Sequence, residues 1–157
     1  MPLYVATFKA VAITAAQDLF SILTPASTRV RIREVRIGQY SDFGDAQAEQ
    51  LPILFRRGAT TAGSGGSAVT PAKIEPWTRA ADCTVRANDT TQAVNGTIVD
   101  LLSDVWNVAA GFWWYPADEA EQIKLGVSER FVVSLAGAPA DSLTCNGSIL
   151  FEEIGKP

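Results

Sequence analysis

Arg29-Val30-Arg31-Ile32-Arg33-Glu34-Val35-Arg36-Ile37-Gly38-Gln39 is the stretch that decides the fold class of this chain. Val30 and Ile32 alternate with arginines, the period of two that sends successive side chains to opposite faces of a strand. At Arg33-Glu34 the phase slips by one residue, and Val35 and Ile37 resume the pattern. An extra residue that flips the facing of everything after it is the signature of a β-bulge. The segment therefore predicts one bulged strand with an apolar face and an arginine face.

Working outward, the same short period recurs. Leu3, Val5 and Thr7 alternate with their neighbours before Val11 and Ile13, and Asp18 to Leu23 forms a short run closed by Thr24-Pro25. Leu51 to Arg57 reads as a strand in which Pro52 favours an edge position or a strand beginning. Thr84 to Ala87 is a further candidate, and Asn95-Gly96 is a strong turn signal before Thr97 to Leu102. Val105 to Val108, Gly111 to Tyr115, Arg130 to Leu135 and Leu143 to Ile154 complete the series. About nine short strands at this spacing predict an all-β sandwich or barrel. Only residues 45–50 and 117–122 could be helical, and each is shorter than an independently stable helix. Gly58 to Thr70 holds four glycines and no charge. Residues 58–72 are accordingly expected to form a flexible, exposed Gly-rich loop without a packed element, and residues 1–15 an extended N-terminal arm. The 157 residues are read as one domain.

The chain has no histidine. That removes the side chain that titrates near neutral pH and the commonest metal ligand, and with it the usual triads and zinc sites. No unperturbed side chain here titrates between pH 6 and 8. A net charge of −4 gives no overall attraction for nucleic acid or an anionic membrane. Arg29, Arg31, Arg33 and Arg36, with Arg56 and Arg57 further on, form the nearest approach to a basic stripe. No aromatics interleave with them, which favours a solvated strand face over nucleic-acid binding. The apolar runs are too short to span a bilayer as a helix, and the start lacks the basic and apolar regions of a secretory signal. Cys83 and Cys145 are read as free, buried thiols of a reducing compartment. The sequons at Asn88, Asn95 and Asn146 are then read as turns.

The motifs each have a plainer reading. Gly63-Ser64-Gly65-Gly66-Ser67 lacks the following helix and the Gly-Lys-Ser/Thr of a phosphate cradle, so it reads as a loop. Asp42, Asp45 and Glu49 offer calcium-type oxygens without the spacing of a calcium loop. Asp118 and Glu119 after Pro116 are placed to start a short helical turn. Glu152 and Glu153 are adjacent on a strand, hence on opposite faces, and cannot line one cleft as a hydrolase pair would. No catalytic residue, cofactor site or metal site is assigned, and the expectation is a non-enzyme. The suggestive feature is aromatic: Phe112-Trp113-Trp114-Tyr115 together with Trp77 and Trp106. At least one of Trp113 and Trp114 should face away from the core. Trp77, Trp106, Trp113 and Trp114 are the candidates for an interface or for stacking on a ligand.

Val11 to Phe20, Val35 to Ala46, the Gly63 to Pro71 loop and the ending Ser148 to Glu153 resemble small virion proteins of tailed bacteriophages, which include capsid decoration, or cement, proteins. The resemblance implies a jelly-roll sandwich on the outside of a capsid, often a trimer, bound to the major capsid protein and assembled in the host cytoplasm. It brings no functional residues that can be carried over by position. Two other readings stand beside it. One is a carbohydrate-binding module or adhesin that uses an exposed tryptophan, and the other a neck, tail or head-fibre anchor protein of the virion.

Overall fold

The structure, a computed structural model, describes residues 1–41 and 49–155. Asp42, Asp45 and most of the 45–50 segment lie outside the described residues. The strands are β1 (Leu3–Ile13), β2 (Gln17–Leu23), β3 (Arg29–Gln39), β4 (Gln50–Arg57), β5 (Ser67–Val69), β6 (Ala72–Lys73), β7 (Thr84–Asp89), β8 (Val99–Asn107), β9 (Phe112–Trp114), β10 (Ile123–Leu125), β11 (Arg130–Leu135) and β12 (Leu143–Ile154). They form two antiparallel sheets packed as a sandwich. The first runs β10-β3-β12-β1-β6, with β9 also on β3, and the second runs β5-β7-β2-β11-β4-β8. Among the described residues there are thus twelve strands where about nine were expected. The additions β5, β6 and β10 are only two or three residues long, too short to display a period.

The chain crosses between the sheets at most of its connections, short and long. β1, β3, β9 and β12 lie in the first sheet, and β2, β4, β8 and β11 in the second. Within the sheets these eight strands run β1-β12-β3-β9 and β2-β11-β4-β8.

The bulge read from β3 is present. Phe151 pairs with Ile32 and Leu150 with Glu34, so Arg33 is the extra residue. Val30, Ile32, Val35 and Ile37 all face the core, in phase on either side of it. The N-terminal arm is a correction, because β1 is an integral strand seated between β12 and β6. Its buried set is Tyr4, Ala6, Phe8 and, beyond the register slip, Ile13, while Leu3 and Val5 lie on the outer face. The register slips between Phe8 and Val11, where Ala10 adopts φ 54° and its N–H donates to Asn146 Oδ1 at 2.8 Å. That second bulge masks the alternation.

The Gly-rich loop is also corrected. Thr61 bridges Val94 and Ser64 bridges Thr91, each through paired backbone hydrogen bonds, so residues 60–64 and 91–95 form a small antiparallel ribbon. Ser67–Val69 then joins β7 as a strand. Glycine permits this closeness: a Cβ at Gly63 would lie 2.9 Å from that of Asp89. The Asn95-Gly96 turn has both residues at positive φ, 63° and 78°, as that dipeptide predicts. Pro52 sits in an interior strand, but near its start. Its carbonyl accepts from the Ala136 N–H, just past the end of β11, so the bond that its missing N–H cannot return falls where that ladder ends. The Asn146 sequon is no turn; it lies within β12.

The core is aromatic at both ends. Tyr4 meets Phe151, Phe8 meets Phe20, and Phe55 is ringed by Phe112, Trp114 and Phe131. Gly147 on β12 lies beneath the Phe8 ring, and a Cβ there would stand 2.6 Å from Phe8 Cζ and 3.1 Å from Ile37 Cδ1. Gly147→Ala is therefore expected to lower stability by about 1–3 kcal/mol through overpacking, read from the midpoint of denaturant unfolding. An unchanged midpoint would show that Phe8 can move aside.

Candidate functional site

The outer face of the first sheet carries the cluster that stands out. Register places Thr7, Ser148, Arg36 and Trp113 in one row across β1, β12, β3 and β9. On β9, Phe112 and Trp114 point inward and Trp113 outward, as alternation requires. Trp113 is 66% exposed and Tyr115 62%. Their ring centroids lie 6.3 Å apart. The Arg36 guanidinium sits over the Trp113 ring with Cζ 5.0 Å from its centroid, a cation–π geometry. Glu34, two residues before it on the same face, ion-pairs with the Arg36 Nε. Glu34 thus steadies Arg36, and Arg36 steadies the indole. Beside Arg36 the surface dips over Gly38, where a Cβ would meet nothing within 4 Å.

The four tryptophans separate. Trp113 is the outward one. Trp77 is 80% exposed on the segment between β6 and β7, and no ring contact joins it to another tryptophan among the described residues. Trp106 is fully buried, which removes it as a surface candidate. The two expected strands around it fuse into β8, whose inward face at that end is Trp106, while Val105 takes the exposed position. Trp114 is half-buried against Phe55 at 5.3 Å and is likewise a packing residue.

The arginine face is less solvated than its spacing implies. The Arg31 side chain is only 11% exposed and bonds Glu119 at 2.8 Å, with Glu152 at 3.5 Å. Arg33 bonds Glu152 at 3.1 Å. Glu119 belongs to a short 3-10 turn, Glu119–Glu121, started by the Asp118 carboxylate accepting from the Ala120 N–H at 2.7 Å. Glu152 and Glu153 lie on opposite faces. Glu153, fully buried, turns away from the arginines to accept from the Asp82 and Cys83 amides and from Arg79.

Both cysteines are free and buried. Burial pushes the Cys145 thiol up to about 12, and burial together with Glu153 raises that of Cys83. Both stay protonated at neutral pH and are poor nucleophiles. Glu49 Oε1 accepts from the Ala140 N–H at 2.6 Å. Among the described residues no group of three or more carboxylates and thiols is placed to hold a metal ion, and no helix is long and apolar enough to cross a membrane.

Comparison with protein-family models, curated proteins and solved structures finds no match. The surface must therefore be read from its own chemistry. Alternation in the sequence put one of Trp113 and Trp114 outward without choosing between them, and the structure makes it Trp113. Sequence reasoning missed Glu34 and Arg36 as its supports, because only the β3–β9 register brings them together.

Proposed function

We propose that the chain is a non-enzymatic structural protein of a tailed-phage virion that docks on the outside of the capsid shell, as an oligomer with a trimer favoured. The observation that carries this reading is the outward cluster Trp113, Tyr115 and Arg36. These are the residue types that dominate protein-interface energetics, and here they are held ready on a rigid sheet. The fold supports the same class. The orders β1-β12-β3-β9 and β2-β11-β4-β8, with the chain crossing between sheets, are what an eight-stranded jelly roll requires, an architecture used in capsid and lectin domains. Binding of this kind stabilises an assembled shell by mass action. The carbohydrate reading would rest on a bare ring face, which Trp113 keeps only on the side away from Arg36 and Trp77 offers singly.

Trp113→Ala is expected to reduce co-sedimentation with particles by about 30-fold or more, the loss associated with an interface anchor. Its thermal unfolding should stay unchanged, since the side chain is outward. Heads assembled without the protein should in turn lose DNA at a lower temperature. Unaltered co-sedimentation of the Trp113 variant would overturn this docking surface.

A further inference from the structure

In the middle of the second sheet β2 and β11 are buried on both faces, and the face turned away from the core carries polar side chains. Asp18 on β2, Asp89 on β7 and Ser134 on β11 are each 1% exposed, and the ribbon of residues 60–64 and 91–95 lies against them. The two carboxylates are cross-strand neighbours, and each anchors one side of the cover. Asp18 accepts from the Ala93 N–H at 2.7 Å and from the Ser134 hydroxyl at 2.6 Å. Asp89 accepts from the Gly66 N–H at 3.1 Å and from Arg86 at 2.6 Å. Gln92 adds a bond from its Nε2 to Ser134 Oγ at 3.0 Å and one to the Leu135 carbonyl at 3.2 Å.

We propose that this ribbon is a flap whose closure over the second sheet is coupled to proton uptake at Asp18, so that the flap tightens as the solution is acidified. Arg86 pairs in the structure with Asp89, leaving Asp18 with only neutral donors. The other charged groups facing Asp18 are Asp89 on β7, Arg56 on β4 and Arg130 on β11. Arg130 donates to Ser21 instead, at 3.2 Å. Burial beneath the flap raises the Asp18 carboxyl above its ordinary range. The Asp89 charge adds to this, while the Ser134 and Ala93 bonds and Arg56 oppose it. Opening the flap returns Asp18 to water and to its ordinary range. The closed form thus holds the proton more tightly, and linkage requires acid to favour closure. Protonation keeps both contacts available: one oxygen still accepts from Ala93, and the new O–H can donate to Ser134 Oγ.

Amide hydrogen exchange at Ala93, corrected for intrinsic rates, measures the closed-to-open ratio. Protection should rise with acidification by up to about tenfold per pH unit, through the range in which closed and open forms differ in proton occupancy. Asp18→Asn keeps the shape without the charge, so its Ala93 protection should exceed wild type at neutral pH and lose the slope. Gln92→Ala, which weakens the flap without touching Asp18, should lower protection throughout and keep the slope. Wild-type protection that is flat or falls toward acid would overturn the proposal, as would a slope that survives in Asp18→Asn or vanishes in Gln92→Ala.

Discussion

Phe55→Ala is expected to lower stability by about 3–5 kcal/mol, seen as a large drop in the denaturant midpoint at constant slope. Phe55 is fully buried on β4 and makes three near-perpendicular ring contacts, to Trp114 at 5.3 Å, Phe131 at 5.6 Å and Phe112 at 6.0 Å. Phe131 belongs to its own sheet, whereas Phe112 and Trp114 come from the opposite one. The ring is therefore a bolt between the sheets, and truncation opens a cavity that three rigid aromatics cannot collapse to fill. The consequence reaches the surface. β9 is three residues long and pairs only with β3 among the described strands, so Phe112 and Trp114 are what hold it down. Loosening them should let Trp113 leave the Arg36 guanidinium, and particle binding should weaken along with stability. Phe55→Leu, which keeps much of the volume, should cost clearly less. A Phe55→Ala protein within about 0.5 kcal/mol of wild type would mean the sheets are held together elsewhere.

How much of this was legible in the sequence depends on how local each cause is. The β3 bulge was readable because its two apolar pairs sit on either side of the slip, within a few residues. The identity of β1 as a central strand was hidden by its own bulge: Lys9-Ala10 separates Phe8 from Val11, and half-buried Leu3 and Val5 imitate the core set. Trp106 was misplaced for a related reason. Polar Ser103-Asp104 interrupts the apolar run between Leu102 and Val105, so the single strand β8 reads as two. The covering ribbon was illegible because glycine and threonine carry no apolar period, and its anchor Asp18 lies 75 residues away from Ala93 in sequence. Alternation alone promised one outward tryptophan at 113 or 114, whereas the choice of Trp113, and Arg36 as its partner, depends on which strand lies beside β9.

Glu153→Ala is expected to cost about 2–5 kcal/mol. Glu153 Oε1 accepts from the Asp82 N–H at 2.7 Å and the Cys83 N–H at 2.9 Å, and Oε2 accepts from Arg79 Nη2 at 2.8 Å. One carboxylate at the end of β12 thus ties down the whole turn that leads into β7. Removing it strands two amides with no acceptor, each worth about 1–3 kcal/mol when left unsatisfied in a buried site. The arginine adds less, because its side chain is 45% exposed and keeps Asp82 as a partner. Glu153→Gln separates the two contributions. Its carbonyl oxygen can still receive both amides while its NH2 faces the guanidinium, donor against donor, so it should fall between alanine and wild type. Cys83 reports the same event chemically. It is 6% exposed, and freeing residues 79–83 should raise its rate of reaction with a thiol reagent while Cys145, on the inner face of β12, stays inert. Equal reaction rates in wild type and Glu153→Ala would show that other contacts hold this turn, and that the buried carboxylate only fills space there.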